Sequence, residues 1–193
     1  MQTKITDIIV IDDAIPKALF NIWREEVYNS NEWRYFPYTD YNPWNYSVEN
    51  VSEEHKLDDT PKFQLMYDVN NLTHLTQSIV DIQASLCKIS SYEITRMRIN
   101  ALSNHREVPQ HHPIHIDTPA DDKSGLVLSC ILYVNDSDGD TLFYSNETQE
   151  IVQRVSPIEN RLLAFPADLL HSSSPPRDTM TRFMCNTVYT YNV

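Results

Sequence analysis

Within residues 112–118, His-Pro-Ile-His-Ile-Asp-Thr, His115 and Asp117 stand two positions apart. Side chains two apart on an extended strand point to the same face, so an imidazole and a carboxylate would converge there. Beyond Asp117 the chain holds one further histidine, His171. Two imidazoles and one carboxylate on one face suit a ferrous ion and leave about three of its six octahedral positions open. A closed structural zinc site would call for four protein donors. Taken alone, a His-x-Asp pair arises easily by chance, and a plain hydrogen bond between the two side chains is the competing reading.

Residues 8–11, Ile-Ile-Val-Ile, read as a short buried strand. Pro16 suits a helix start, and Leu19, Phe20, Trp23 and Val27 follow at helical spacing. Residues 33–46 are crowded with aromatic rings, which form either a packed lid over the core or a substrate-facing wall. Residues 47–60 are polar and acidic and read as an exposed loop. A strand over 62–67 precedes a second helix over 72–87, whose stripe is Leu72, Leu75, Ile79, Ile82 and Leu86, with His74 off the stripe and exposed.

After residue 90 the pattern changes to period two. Residues 92–101 put Ile94, Arg96, Arg98 and Asn100 on one side and Thr95, Met97, Ile99 and Ala101 on the other. Further strands fall at 126–135, 141–144, 151–155, 161–165 and 181–191. Residues 136–140 form a turn in which Gly139 is free to take positive φ. Two helices followed by seven or eight short strands predict a mainly β protein: a double-stranded β-helix, or jelly roll, with the N-terminal helices packed on one sheet. One domain over 1–193 is expected, with 1–90 as helical support and lid and 91–193 as the jelly-roll core.

Composition narrows the function. Gly125 and Gly139 are the only glycines, so no Gly-rich phosphate loop can be written. With 15 basic and 27 acidic residues the net charge is −12, which disfavours nucleic acid, while a basic or small neutral substrate would meet no general repulsion. Cys87, Cys130 and Cys185 are too scattered for a disulfide framework and read as small core side chains. No apolar run reaches the length of a membrane span, and nothing reads as a leader. A cytoplasmic protein with a small-molecule or peptide substrate is the expectation.

From residue 94 onward the chain resembles the 2-oxoglutarate- and Fe(II)-dependent dioxygenases, particularly their prolyl-hydroxylase-like branch. The residues that carry the resemblance are His115-Ile-Asp117, the Leu-Tyr-Val-Asn run at 132–135, the Gly-Asp-Thr-Leu-Phe run at 139–143, residues 157–165, His171 and Arg182. It implies that His115, Asp117 and His171 bind Fe(II), and that Arg182 pairs with the far carboxylate of 2-oxoglutarate. Tyr133 sits where relatives place a tyrosine on that same carboxylate. Dioxygen is then the co-substrate, ascorbate can support turnover, and the implied outcome is hydroxylation of an unactivated C–H. Asp117 argues against a halogenase, which needs that position open for halide. Asp140 stands where many relatives have a second glycine, and Met184 where many have a serine.

Arg98 and Asn100 are further candidates for cofactor or substrate, because polar residues on a core-type strand want partners. Arg177 rivals Arg182 for the carboxylate, but a strand fixes an arginine better than a proline-flanked loop. His111 and His112 read as solvated loop histidines or as neighbours of the site rather than ligands; His55 and His105 read as surface residues. Two rival readings remain: a non-catalytic jelly-roll binding module, and a cupin-type metal enzyme that would not need Arg182.

Overall fold

The computed structural model describes residues 5–36, 62–104, 111–117 and 126–192. Two helices, α1 (Lys17–Tyr28) and α2 (His74–Leu86), accompany ten strands: β1 (Ile9–Ile11), β2 (Arg34–Phe36), β3 (Lys62–Met66), β4 (Tyr92–Ser103), β5 (Val127–Tyr133), β6 (Thr141–Tyr144), β7 (Ile151–Val155), β8 (Leu162–Pro166), β9 (His171–Ser173) and β10 (Thr181–Tyr191). The strands form a seven-stranded sheet, β1-β8-β5-β10-β4-β3-β2, and a three-stranded sheet, β7-β6-β9. This is the expected double-stranded β-helix with helices on one side.

Each face of the large sheet buries a different core. Phe20, Trp23 and Val27 of α1 and Ile79, Val80 and Ala84 of α2 pack against Met97, Ile99, Leu128, Cys130, Leu132 and Tyr189. Ile131, Tyr133, Leu163, Phe165 and Met184 on the opposite face meet Phe143 of the small sheet. Covered on both faces, β5 is buried at every position, which is why its sequence reads as a nearly continuous apolar run. The three cysteines are free and buried.

The helix ends follow from local chemistry. Thr73 caps α2, its hydroxyl accepting from the Thr76 N–H at 3.2 Å. The face α2 buries is turned slightly from the predicted stripe: Thr76, Ile79, Val80, Gln83 and Ala84 lie deepest. Buried Gln83 is admitted because the Tyr189 hydroxyl donates to its Oε1 at 2.9 Å. His74 is exposed. Of the aromatic stretch, Trp33 is anchored to the core, donating from Nε1 to the Val27 carbonyl at 3.0 Å and resting edge-on against Phe183. Residues 37–46, the acidic loop, residues 119–125, His55 and His105 lie outside the described residues.

Three expectations are corrected. β4 does not alternate throughout: Val188 pairs with Arg96 but Tyr189 with Ile94, so Thr95 is a bulge residue. Ile94 therefore joins the helix-side core, while Arg96, Arg98 and Asn100 keep the inner face. His171 lies on β9, a strand absent from the expected set; it is only three residues long and His-Ser-Ser carries no apolar signature. Gly139 does not use positive φ. Its need is space, because a Cβ there would meet the Ser174 carbonyl oxygen at 2.7 Å and the Pro176 nitrogen at 2.9 Å.

That close approach locks the β5–β6 turn onto the loop before β10. Asp138 completes the lock, accepting from the backbone N–H groups of Arg177, Asp178 and Thr179 at 2.8, 2.9 and 3.0 Å. Desolvation pushes its carboxyl up, but these N–H donors outweigh that and hold it well below the usual carboxylate range. A depressed carboxyl contributes stability above its unfolded pKa of about 3.9, and that contribution is lost as pH falls further. Asp138→Ala is expected to lower the melting temperature at pH 7, with the gap to wild type closing progressively below about pH 4. Thermal melts across pH 2.5–7.5 check this.

Candidate metal centre

Residues 111–117 run antiparallel beside β9. The His112 N–H donates to the Ser173 carbonyl at 2.8 Å, and His115 and His171 exchange backbone hydrogen bonds at 2.9 and 3.0 Å. Alternation sends Ile114 and Ile116 to a small cluster with Leu142, Tyr144 and Leu170. His115 and Asp117 point the other way, toward His171. One donor atom each from His115, Asp117 and His171 lies within 4.8 Å of the others, the only such group of three among the described residues.

The donor chemistry fits a metal ion. Nδ1 of His115 is 3.0 Å from the Pro113 carbonyl, and Nδ1 of His171 is 2.9 Å from the Leu169 carbonyl. A carbonyl only accepts, so each Nδ1 carries the proton and each Nε2 keeps its lone pair for a metal. Burial first, then the neighbouring His171, brings the His115 pKa down to about 3, so its ring stays neutral at physiological pH. Phe165 stands edge-on to the His171 ring at 4.8 Å and fixes its plane.

Asp117 is held from two strands. Its Oδ1 pairs with Arg96 of β4, and its Oδ2 accepts from the Ser129 hydroxyl of β5 at 2.7 Å. Oδ2 also lies 3.5 Å from His171 Nε2. Burial pushes this carboxyl up, but Arg96 and the two histidines prevail and hold it well below the usual range. Neither Arg96 nor Ser129 was singled out by sequence reading. The available signal was spacing: both fall on the inner faces of their strands, and Ser129 is a lone hydroxyl in an apolar run.

The other end of the inner face holds Arg182, fully buried. It donates to the Thr141 hydroxyl at 2.8 Å and to the Asp140 carbonyl at 3.4 Å, and lies over the Tyr133 ring, 5.5 Å from its centre. The Tyr133 hydroxyl meets the same Thr141 oxygen at 2.7 Å. The Arg182 Nε is buried with no hydrogen-bond partner. A buried guanidinium held only by neutral acceptors, with one donor unused, is matched to a carboxylate. Thr141 joins this cluster from the 139–143 run, where its sequence position alone does not mark it as a partner of Arg182.

The remaining candidates separate. Asn100 is buried but satisfied, accepting from Gln64 at 2.7 Å. Arg98 lies on the inner face between the two clusters and makes no hydrogen bond to a described residue; burial first, then Arg96, brings its pKa down to about 10. Arg177 is exposed in the loop locked by Asp138. His111 lies edge-on to Tyr144. His112 is buried at 5% exposure rather than solvated, because its backbone pairs with β9.

Residues 100–190 match the sequence model of the 2OG-Fe(II) oxygenase superfamily. No curated protein sequence matches the chain. The fold is similar to that of a prolyl hydroxylase from Trichoplax adhaerens in complex with a hypoxia inducible factor oxygen degradation domain peptide fragment, with a TM-score of 0.64 at 16% identity over 95% of this chain and 83% of that one. It is similar to a prolyl-4-hydroxylase from Pseudomonas putida, with a TM-score of 0.58 at 11% identity over 96% and 93%. The α-ketoglutarate-dependent epimerase SnoN from nogalamycin biosynthesis gives a TM-score of 0.63 at 11% identity over 95% and 78%. The 100–190 segment carries the 2OG-Fe(II) oxygenase superfamily pattern and holds the whole His-Asp-His group, which supports a 2-oxoglutarate- and Fe(II)-dependent dioxygenase.

One energetic consequence follows from the Arg96–Asp117 pair. Removing one partner of a buried pair leaves the other charge uncompensated. Asp117→Ala is expected to destabilise the metal-free chain by about 3 kcal/mol, whereas an isolated ligand carboxylate would be removed at little cost. Urea denaturation in the presence of chelator measures this.

Proposed function

We propose that the chain hydroxylates a C–H bond of a small-molecule or peptide substrate, with Fe(II) held by His115, Asp117 and His171 and with the distal carboxylate of 2-oxoglutarate held by Arg182. The single observation that carries this reading is the buried Arg182 guanidinium, whose Nε has no protein partner, on the same inner face as the three convergent donors. A binding module would have no use for both. A cupin-type enzyme would have no use for the arginine.

The bound metal and 2-oxoglutarate would supply an oxidation by dioxygen in which the keto acid becomes succinate and CO2 and the substrate gains a hydroxyl. The chain does the positioning. Protonated Nδ1 atoms on both histidines keep Nε2 available, and the backbone bridge fixes the two rings side by side. Arg96 and Ser129 hold Asp117 ionised and oriented. Thr141 and Tyr133 hold the Arg182 guanidinium in place, with its Nε–H left for a carboxylate. Ile131, Phe143, Phe165 and Met184 keep the wall between the clusters apolar and exclude water.

Among the described residues no helix is long and apolar enough to cross a membrane. Free buried cysteines suit a reducing compartment, and the cytoplasm is the compartment we propose.

Purified chain with Fe(II), ascorbate and 2-oxoglutarate is expected to release succinate, slowly without substrate. Arg182→Ala should raise the 2-oxoglutarate KM by roughly tenfold or more, the loss of a charge-assisted pair. His171→Ala should lower affinity for Fe(II) or Ni(II), read by calorimetry, and abolish succinate release. An unchanged 2-oxoglutarate requirement in the Arg182 variant would remove that assignment.

A further inference from the structure

The inner face of the large sheet carries more positive charge than the proposed cofactors use. Strand register aligns Arg34 with Gln64 and Asn100, and places Arg98 opposite Asn186 and Arg96 opposite Val188. Arg34, Arg96, Arg98 and Arg182 thus share one face of a protein whose net charge is −12. Among the described residues Asp117 projects into the middle of that face, and Arg96 already occupies it. Long-range repulsion from the acidic surface fades over a Debye length of about 8 Å at physiological salt, so the local face decides what is accepted. The overall acidic charge therefore does not bar an anionic substrate from this face.

Arg98 is the cation left over. Its neighbours in register are Met66 and Asn186, and no carboxylate among the described residues pairs with it. Its Nε is buried without a partner, and so is the Oδ1 of Asn186 directly across the strand pair. The row Arg98–Asn186–Ile131 lies next to the row Arg96–Val188–Ser129 that holds Asp117, about 6.7 Å along the strands. Arg182 lies opposite Leu102, four residues and roughly 13 Å of strand from Arg98. A keto acid gripped by Arg182 therefore leaves Arg98 for a second ligand.

We propose that the substrate is a small molecule bearing a carboxylate, which Arg98 binds beside the metal centre while Asn186 accepts a hydrogen bond from an adjacent N–H or O–H. α-Amino acids have this arrangement of groups. The assignment rests on the metal and 2-oxoglutarate reading above. It adds Arg98 as the residue that selects substrate.

The test uses the full chain loaded with Fe(II), ascorbate and saturating 2-oxoglutarate. The probes are the proteinogenic L-amino acids, each beside its primary carboxamide, and short aliphatic carboxylates. Two readouts are taken: stimulation of succinate release, and thermal shift with 2-oxoglutarate already bound. At least one acid is expected to stimulate turnover with a kcat/KM about tenfold or more above its amide, the worth of a charge-assisted hydrogen bond, and to raise Tm. In Arg98→Gln the acid and amide should fall to within about threefold of each other, and Arg98→Lys should keep part of the preference.

Acids and amides treated alike by wild type, a panel in which no acid stimulates or shifts, or an Arg98→Gln variant that keeps the preference would each overturn the proposal. So would an Arg98→Gln effect that falls on the 2-oxoglutarate KM instead. Absence of any 2-oxoglutarate-dependent succinate from wild type, with acids still shifting Tm through Arg98, would sink the catalytic reading and leave the carboxylate site standing.

Discussion

A carboxylate taken out of water must be paired, or it will not stay ionised. The Asp117 side chain is 3% exposed, and the surrounding architecture follows from that constraint. Arg96 must come from β4 and Ser129 from β5 to hold its two oxygens, with the Val188 position of β10 between them. The Thr95 bulge then clears Ile94 from that face. Under strict alternation Ile94 would share the inner face with Arg96. The extra residue instead sends Ile94 to the helix-side core while Arg96 stays on the carboxylate. Bulges beside functional sites commonly re-aim a side chain in this way.

Three inner-face arginines then sort by what satisfies them. Arg96 has a protein carboxylate and acts as structure. Arg182 has only a hydroxyl and a carbonyl, and Arg98 has neither. Arg182 is fully buried and Arg96 and Arg98 are partly so, and the shortfall in partners at Arg182 and Arg98 is what a ligand would fill. The same logic separates the polar pair Gln64 and Asn100, which satisfy one another, from Asn186, which is left open.

Much of this was legible in the residues themselves. Period two placed His115 and Asp117 on one face and put Arg96, Arg98 and Asn100 together on one side of their strand. Helical spacing found α1 and α2. What escaped notice was set by tertiary context. β9 is three polar-leaning residues whose strand character comes from β6 and from the His115 bridge. Gly139 suggested a turn, but its reason is a backbone passing at 2.7 Å, which no local pattern encodes. The bulge at Thr95 leaves no mark, since threonine serves equally well in a regular strand. Arg96 could be placed on a face but not paired, because its partner lies 21 residues on along the chain.

The histidines also do work that a ligand inventory would miss. The small sheet has three strands, and β9 is its edge. An open edge exposes unpaired N–H and carbonyl groups. Here the 112–117 segment lies along β9 and the residues before it, supplying backbone partners through His112, His115 and Asp117. Metal donors and edge cover are thus one piece of backbone. Shifting that segment by one residue would put Ile114 and Ile116 inward and His115 and Asp117 outward, losing the donor set and the Ile114 cluster together. The register is fixed from both sides: apolar burial of Ile114 with Leu142 and Leu170, and charge pairing of Asp117 with Arg96. Substituting His115 would remove a donor without disturbing the backbone bridge, which needs no side chain, so the geometry of the remaining two donors should survive its loss.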